Sequence, residues 1–531
     1  MKRFLAALIF FLAPSLAQAG DRVRVSSEGA VAQKFAVTKD EGGRTEKPGH
    51  YLDEMPSFEM TFSPQDAFLA NPDRERILIT DHPRWDLILL PWETIPASGK
   101  DGYLVEEVLP FALMEKEANC LHYGTIKFPA LSRQERTEGK AVKARFEITA
   151  ETCSYLHFTM DGEITLQIVP ADMNDQVEDK TDLLSGKPDF YLYSDYPGFN
   201  FPRLAQADHI PPADMTTYGA VIDGIHYGGR CQSDGACNRL PLPSYSLAKS
   251  LVAGLGLMRL EKLYPGAKET LVSDYVRSCR DAGWDGVTFG HLLDMTSGHY
   301  KSKKPHQDEN EYFWPFSQNK DADGKTDYAC TAFGKKDEPG ETWVYRTSDT
   351  WILGMALQAF WREKSGQAEA DFYDDLIVPL WRDLGLTGLI EDTRRTQDAA
   401  KQPYSGWGLV FFRKDIAAIA HALASEDSRL TDKLDRHMLS AALQRDPDNH
   451  GKKAGGKTLR YKNGFWAWNA GDYLGCKKDT WLPVMSGFGG ISVVMLPTGD
   501  VYYYFSDSGI FRYGEAIAEI HKIRPVCEGR K

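Results

Sequence analysis

The chain has 531 residues, 42% of them hydrophobic and 26% charged, and its formal net charge is −13. This length is too great for one ordinary hydrophobic core, so two domains are expected, and the composition is typical of a globular protein. The negative charge argues against a nucleic-acid partner and gives no reason to expect binding to anionic membranes.

Residues 1–19 are predicted to be a signal peptide. Lys2 and Arg3 precede an apolar run over 4–13, and Ala17-Gln18-Ala19 supplies the small residues of a cleavage site. The run is short for a membrane span, although an uncleaved N-terminal anchor is the alternative interpretation. No later stretch is apolar enough to span a bilayer. We therefore expect a periplasmic or secreted protein with no membrane span after signal cleavage.

Export makes the eight cysteines candidates for disulfide bonds, because they are even in number and the compartment is oxidising. The sequence leaves their connectivity open. Pairing neighbours along the chain predicts Cys120–Cys153, Cys231–Cys237, Cys279–Cys330 and Cys476–Cys527. Neither a Cys-x-x-Cys nor a His-x-x-x-His spacing occurs, so neither a metal site nor a cofactor is predicted.

Residues 20–205 are predicted to form a β-rich accessory domain. Short β-branched or alternating runs indicate strands over 76–80, 87–90 and 144–149, and a hairpin is predicted with its turn at Asp161-Gly162. Several such strands are typical of a small β-sandwich. This half contains no catalytic pattern, so packing support is the simpler interpretation, and a binding module or lid is the alternative.

Residues 206–531 form the second predicted domain, and its central feature is a buried helix over 243–264. Apolar residues recur there at steps of three and four: Leu251, Val252, Leu255, Met258 and Leu260. Pro241 and Pro243 favour an extended approach, so the helix should begin near Ser244 or Ser246. Ser246 and Lys249 then lie side by side on the first turn.

This pair has a chemical interpretation and a structural one. Backbone N–H groups at a helix start favour negative charge on the serine oxygen, and a desolvated lysine can lose its proton and act as a base. The alternative is an N-capping serine followed by a solvated lysine. Ser-x-x-Lys alone does not decide between them, since Ser317–Lys320 repeats the spacing ahead of a polar loop.

Further elements are predicted along the second domain. They are a strand over 218–225, a helix from about Ser348, two strands over 489–496 and 501–505, and a last amphipathic helix over 515–523.

Several blocks occur in order: Ser246-Leu247-Ala248-Lys249-Ser250, residues 287–298, residues 339–354, Pro379-Leu380 with Leu384-Gly385-Leu386, residues 464–468, and Gly487-Phe488-Gly489-Gly490. Together they resemble the serine hydrolases of the penicillin-binding and class C β-lactamase type. The resemblance covers about residues 218–522. It implies an α+β fold of the β-lactamase/transpeptidase type, with an antiparallel sheet flanked by helices and a helical subdomain.

The resemblance also implies roles for individual residues. Ser246 is the expected nucleophile, Lys249 the base in acylation, and Tyr345 the relay of a proton to the leaving group. The backbone N–H groups of Ser246 and Phe488 are the expected oxyanion hole. The remaining residues expected at the substrate are Ser486, Gly487 and Thr347.

Two differences from the motifs of the antibiotic-destroying enzymes point to a subgroup of this family. The segment 345–354 is closer to the 6-aminohexanoate-dimer hydrolases and related esterases, since the antibiotic-destroying enzymes carry asparagine where Thr347 stands. They also carry Lys-Thr-Gly where this chain has Met485-Ser486-Gly487, and that lysine lies close to the β-lactam carboxylate. We therefore expect an exported enzyme that cleaves amides or esters of small or peptide-like molecules. The alternatives are a D-alanyl-D-alanine carboxypeptidase or β-lactamase, or a non-catalytic binding protein on the same fold.

Overall fold

The structure, a computed structural model, describes residues 23–41, 43–46, 49–62, 77–90, 93–96, 105–170, 190–192, 198–231, 239–386 and 388–528. The predicted signal peptide and the predicted Cys231–Cys237 bond lie outside the described residues. The other three disulfides are confirmed, namely Cys120–Cys153, Cys279–Cys330 and Cys476–Cys527. Within these ranges, no helix combines the length and the apolar character needed to cross a bilayer.

Ten strands of the N-terminal region form one antiparallel sheet, here called the N-terminal sheet. Its main path has the order Phe58–Phe62, Val23–Ser27, Leu156–Pro170, Lys140–Thr152, Leu121–Pro129, Val105–Glu115, Trp85–Leu89 and Ile77–Leu78. Lys34–Asp40 and Glu93–Pro96 pair beside this path, and Ala30–Val31 pairs separately with Glu54–Met55. The β-rich prediction is confirmed, but the predicted sandwich is wrong because these ten strands hydrogen-bond within a single sheet.

The N-terminal sheet is buried on both faces around Leu87–Leu89. It therefore needs no second β-sheet to cover its apolar side chains. Leu87 and Leu89 belong to the core of the N-terminal region, whereas Ile88 between them belongs to the main core of the molecule. Leu113 and Met114 divide in the same way. The helical part of the chain therefore supplies the second layer that another sheet supplies in a sandwich.

The hairpin predicted at Asp161-Gly162 is wrong. Leu156–Pro170 is one continuous strand, and Gly162 lies opposite Phe146 of the neighbouring strand. A Cβ atom at Gly162 would lie 2.7 Å from the Phe146 ring, so glycine is required there for space.

The second region is built on a nine-stranded sheet, here called the central sheet. Its order is Phe190–Leu192, Ile225–Cys231, Met215–Ile222, Val501–Ser506, Ile491–Met495, Trp481–Gly487, Phe465–Asn469, Leu459–Lys462 and Lys452–Lys453, antiparallel except for the first pair. The single strand predicted over 218–225 is wrong in extent. Asp223 and Gly224, with φ of 51° and 77°, form the two-residue turn of a hairpin. The strands predicted over 489–496 and 501–505 are confirmed within two residues.

Helices lie on both faces of the central sheet, which confirms the α+β class. The α-helices are Arg133–Glu138, Phe201–Leu204, Leu255–Leu263, Val272–Tyr275, Arg277–Asp281, Phe289–Leu293, Gln307–Ser317, Ala322–Thr331, Thr347–Ser365, Val378–Asp383, Gly388–Glu391, Arg413–Ser425, Ser428–Thr431, Arg436–Ala442, Gly471–Leu474 and Gly514–Ile523. Lys249–Gly254 and Tyr373–Ile377 are π-helical, and Ala267–Glu269 and Val526–Glu528 are 3₁₀ turns.

Alternation along one strand shows how the central sheet separates two cores. Tyr502 and Tyr504 pack in the cluster that contains the last helix, Gly514–Ile523. Tyr503 and Phe505 point the other way, into the main core, which also contains the helix of Lys249. The catalytic elements predicted from the sequence thus rest on a fully packed face of the sheet.

Candidate active site

Ser246 lies in a tight turn between strand Leu242–Pro243 and the buried helix, which begins at Leu247. Residues 244–247 are called the nucleophile turn below. Tyr245 has φ of 41°, a left-handed conformation that is unfavourable for a residue with a side chain. Its backbone N–H donates to Asn119 Oδ1 at 2.8 Å, which helps to hold this conformation. Ser246 is thereby placed at the start of a helix, where backbone N–H groups favour negative charge.

The helix predicted over 243–264 is present, but its winding differs from the prediction. After Leu247 and Ala248, residues Lys249–Gly254 form a buried π-helical turn, and Leu255–Leu263 continues as α-helix. π-Helical turns are rare in proteins overall, and those that occur are often found at functional sites. Lys249 nevertheless remains beside Ser246, as the predicted spacing requires.

Lys249 is 1% exposed and its ammonium nitrogen contacts three acceptors. Nζ lies 2.8 Å from Ser246 Oγ, 2.8 Å from Thr347 Oγ1 and 3.1 Å from the Gly406 carbonyl oxygen. A neutral amine has two N–H groups and one lone pair. When Thr347 and Gly406 accept the two N–H groups, the lone pair faces the Ser246 hydroxyl.

Burial lowers the pKa of Lys249 from 10.5 to about 8, although the Glu309 carboxylate opposes this shift. With that pKa, about a tenth of the lysine side chains are uncharged at pH 7, since each pH unit changes the ratio tenfold. The site can therefore supply a neutral amine near neutral pH.

Tyr345 completes the predicted group of three. Its phenol interacts with Ser246, and Lys249 Nζ lies 5.1 Å from the centre of its ring. Trp466 stacks on the ring at 5.6 Å, so this tryptophan is a packing residue of the site. Burial, together with the Glu309 carboxylate, raises the pKa of the Tyr345 phenol well above its ordinary value. The phenol therefore keeps its proton and can donate it, whereas Lys249 has the pKa that suits a base.

Thr347 connects Lys249 to Glu309, a residue for which no sequence motif predicted a role. Its backbone N–H donates to Glu309 Oε2 at 2.6 Å, and its hydroxyl is also hydrogen-bonded to the Glu309 carboxylate. Glu309 lies in the first turn of Gln307–Ser317, where an acidic residue is ordinarily explained by the helix dipole. The position of Glu309 in this first turn therefore does not predict its hydrogen bond to Thr347, which lies 38 residues further along the chain.

The remaining predicted residues lie around the turn that follows strand Trp481–Gly487. A Cβ atom at Gly487 would be 2.9 Å from the Ser244 carbonyl oxygen, so glycine lets the strand approach the nucleophile turn. Phe488 is 52% exposed, and its ring centre lies 5.8 Å from that of Tyr245. The Ser486 hydroxyl donates to the Ile491 carbonyl oxygen at 3.3 Å.

A cavity of about 230 Å³ lies at Ser246. Six of its thirteen wall residues are aromatic, namely Tyr155, Tyr245, Phe313, Trp314, Trp407 and Phe488. The polar residues of the wall besides Ser246 are Asn119, Glu309, Asn310 and Thr347. Ala118, Asn119 and Tyr155 belong to the N-terminal region, for which the sequence predicted no catalytic role. An apolar cavity with a few polar groups beside the predicted nucleophile has the general character of a ligand pocket.

The family model described as Beta-lactamase matches residues 239–502. No curated protein has a statistically significant match to the chain.

Solved structures with a similar chain path include a protein from Bacillus anthracis named as a 6-aminohexanoate-dimer hydrolase. Its sequence is 16% identical to this one, and the TM-score is 0.44. The match covers 61% of this chain and 80% of the Bacillus anthracis chain. A penicillin-binding protein from Bacillus halodurans has 15% identity, coverage of 61% and 99%, and a TM-score of 0.43. A D-stereospecific amidohydrolase from Streptomyces has 14% identity, coverage of 61% and 99%, and a TM-score of 0.43. These values are too low to transfer a substrate or a mechanism to this chain. Residues 239–502 nevertheless match the Beta-lactamase family model and have the β-lactamase/transpeptidase-like fold that the sequence motifs imply.

Proposed function

We propose that this chain is an exported hydrolase that cleaves an amide or ester bond through an acyl-enzyme on Ser246, with Lys249 as the base. The observation that carries the proposal is the 2.8 Å contact between Lys249 Nζ and Ser246 Oγ inside a buried site. A serine hydroxyl is a weak nucleophile near neutral pH and needs an adjacent base. The lowered pKa of Lys249 supports that role.

In the acylation step, Ser246 Oγ attacks the substrate carbonyl carbon and its proton passes to the Lys249 amine. The carbonyl oxygen becomes negatively charged, and the backbone N–H groups of Ser246 and Phe488 are the proposed donors to it. Tyr345 donates a proton to the leaving amine or alcohol as the bond to the carbonyl carbon breaks. Lys249 then returns a proton to the tyrosine, which restores the phenol.

In the second step, water attacks the ester carbonyl of the acyl-enzyme. Lys249, again neutral, takes a proton from the water, and the proton finally returns to Ser246 as the acid product leaves. Thr347 and Gly406 hold two N–H groups of the amine in both steps, so the amine needs no reorientation. Fixed polar groups of this kind avoid reorganisation during the reaction.

Export to the periplasm or out of the cell is part of the proposal. Three disulfides fit an oxidising compartment. We assign residues 1–19 to a signal peptide, 20–205 to an accessory domain and 206–531 to the hydrolase domain. The substrates are small or peptide-like amides or esters.

A fluorophosphonate probe tests the proposal, because it reacts covalently with activated serines. The wild type should be labelled and Ser246→Ala should not. Ser317→Ala is a matched control, since Ser317 begins the second Ser-x-x-Lys and its hydroxyl donates to the Trp314 carbonyl oxygen. Equal labelling of wild type and Ser246→Ala, or no labelling of either, would remove the basis of the proposal.

β-Lactam turnover is not favoured by the site. Met485 stands where the antibiotic-destroying relatives carry lysine, and it is 0% exposed in the main core. We therefore expect a chromogenic cephalosporin to remain intact at enzyme concentrations that hydrolyse short esters. Covalent labelling by a fluorescent penicillin would instead support a D-alanyl-D-alanine carboxypeptidase or a β-lactamase.

A further inference from the structure

Three side chains from both regions of the molecule converge outside the proposed active site. Glu151 and His157 lie on two neighbouring strands of the N-terminal sheet, Lys140–Thr152 and Leu156–Pro170. Asp507 comes directly after a strand of the central sheet. One oxygen of each carboxylate and one nitrogen of the imidazole all lie within 4.8 Å of one another. None of the three side chains lines the cavity described above, so they form a separate group.

Two buried polar atoms of this group have no hydrogen-bond partner. The Asp507 side chain is 1% exposed, compared with 18% for His157 and 16% for Glu151. Among the residues that the structure describes, neither Asp507 Oδ1 nor His157 Nε2 makes a hydrogen bond, although both atoms are buried. His157 Nε2 lies 3.7 Å from Asp507 Oδ2, so the carboxylate and the imidazole face each other. Buried polar atoms without a partner are rare in native proteins, and a bound ion is one explanation for them.

The carboxylates of this group also lack a cation. Asp214 adds a third carboxylate, and its backbone carbonyl oxygen accepts the N–H of Asp507 at 3.0 Å. Burial and the Asp214 carboxylate raise the pKa of Glu151 to about 7, which is the effect expected of crowded carboxylates. Within the described part of the chain, no lysine or arginine forms a salt bridge with any of the three. Lys39 is close enough to lower the pKa of Asp507, but its ammonium group pairs with Glu41 at 3.1 Å.

The ligand set suits zinc. Zinc is commonly bound by imidazole nitrogen together with carboxylate oxygen, whereas magnesium and calcium prefer oxygen ligands alone. Two carboxylates and a neutral imidazole also balance the charge of a divalent ion. A zinc ion about 2.1 Å from each ligand atom places neighbouring ligand atoms roughly 3.4 Å apart. Since the observed separations are at most 4.8 Å, and His157 and Glu151 are partly exposed, side-chain movements of about 1 Å would close the site around an ion.

The segment that contains Asp507 also supports the turn over 488–490, which carries a proposed oxyanion donor. The backbone N–H of Gly509 donates to the Gly489 carbonyl oxygen at 2.9 Å. An ion held by Asp507 would therefore fix this segment against the N-terminal sheet and, through it, the turn.

We propose that Glu151, His157 and Asp507 form a structural zinc site that joins the N-terminal sheet to the central sheet. The fourth position is left to water or to the Asp214 carboxylate. The site takes no part in the chemistry at Ser246. No local spacing predicts it, because only the packing of the two sheets brings its ligands together.

Titration of zinc into chelator-treated and dialysed full-length protein, followed by calorimetry, tests the site. The wild type should bind one zinc ion with a Kd of about 1 μM or tighter, and zinc should raise its melting temperature. Glu151→Gln, His157→Gln and Asp507→Asn should each weaken binding by about 100-fold or more. A wild type that binds no zinc below about 100 μM would overturn the inference.

His209→Gln is the matched control. His209 Nε2 lies 3.2 Å from Glu515 Oε1, so this pair also combines an imidazole with a carboxylate. The substitution should change the zinc affinity by less than about threefold. In the presence of a chelator, Glu151→Gln and Asp507→Asn should melt no lower than the wild type, because each removes a charge from a group of carboxylates that repel one another. Their loss of zinc binding would then reflect the missing ligand, and an unchanged zinc affinity in both variants would overturn the inference.

Discussion

The Glu309 carboxylate accepts the backbone N–H of Thr347 at 2.6 Å, and the Thr347 hydroxyl accepts from Lys249 Nζ at 2.8 Å. A carboxylate is thus connected to the proposed base through a single side chain. Burial lowers the pKa of Lys249 and Glu309 raises it, and the balance is a pKa of about 8. The acid–base behaviour of the site therefore depends on a helix, Gln307–Ser317, that carries none of the family motifs.

Glu309→Gln should move the pH profile of acylation to lower pH. The wild-type labelling rate should rise with pH up to about 8, where Lys249 becomes uncharged, and then level off. Removing the carboxylate removes a charge that favours the ammonium form, so the pKa of Lys249 falls further. Fluorophosphonate labelling rates between about pH 6 and 10 measure this, with the exposed Glu311→Gln on the same helix as control. An unchanged midpoint, or a shift to higher pH, would contradict the assignment of Lys249 as base.

Lys249→Met should abolish labelling while leaving the fold intact. Methionine fills a similar space without a titrating group, and it avoids burying a charge. We expect the labelling rate to fall by a factor on the order of 10³ or more, as for other enzymes that lose the base of an activated nucleophile. Lys320→Met, in the second Ser-x-x-Lys, is the control. Retention of most of the labelling rate by a folded Lys249→Met would exclude the lysine from the mechanism.

In the presence of a chelator, Asp507→Asn should stabilise the protein at alkaline pH. Burial and the Glu151 and Asp214 carboxylates raise the pKa of Asp507 from 3.8 to about 8, and His157 and Lys39 are the other titrating groups nearby. Because the folded state binds this proton more tightly than the unfolded state, wild-type stability falls as pH rises from about 4 to 8. Asparagine resembles the protonated form, so the melting temperature should exceed that of wild type by a few degrees at pH 8.5 and by much less at pH 5. The exposed Asp323→Asn is the control, and an equal effect at both pH values would show that the charge is unimportant.

Gly162→Ala should destabilise the protein by about 1–3 kcal/mol, since the new methyl group meets the Phe146 ring. Phe146→Leu in the same chain should recover part of that loss, because it removes the ring that the methyl group meets. Gly334→Ala is the neutral comparison, as no atom lies within 4 Å of a Cβ placed there. Denaturant unfolding of the wild type, Gly162→Ala, Phe146→Leu and the double variant measures the coupling. Purely additive effects would argue against a direct contact between these two positions.

Two Asp-Gly pairs show what local sequence can and cannot predict. Asp161-Gly162 has the composition of a hairpin turn but lies within one strand, because the glycine is needed for contact with a neighbouring strand. Asp223-Gly224 has the same composition and does form the turn. The distinction depends on Phe146, a residue of another strand, and no local pattern contains that information.

The same limit applies to the site. Ser246, Lys249 and Tyr345 could be predicted because each lies in a motif with a fixed spacing, and the structure brings the three side chains together. Glu309 and Asn119 act through contacts to residues 38 and 126 positions away. Neither belongs to a periodic pattern or a motif, so only the folded chain reveals their partners.

Direct detection of the acyl-enzyme tests the central claim most directly. The wild type would be mixed with N-acetylglycine 4-nitrophenyl ester, quenched in acid within the first turnovers, and digested for mass spectrometry. We expect the mass of the acetylglycyl group on the peptide that contains Ser246, and no such mass in Ser246→Ala. Turnover of the ester by a wild type that carries the acyl group at another residue, or turnover by Ser246→Ala at the wild-type rate, would contradict the account.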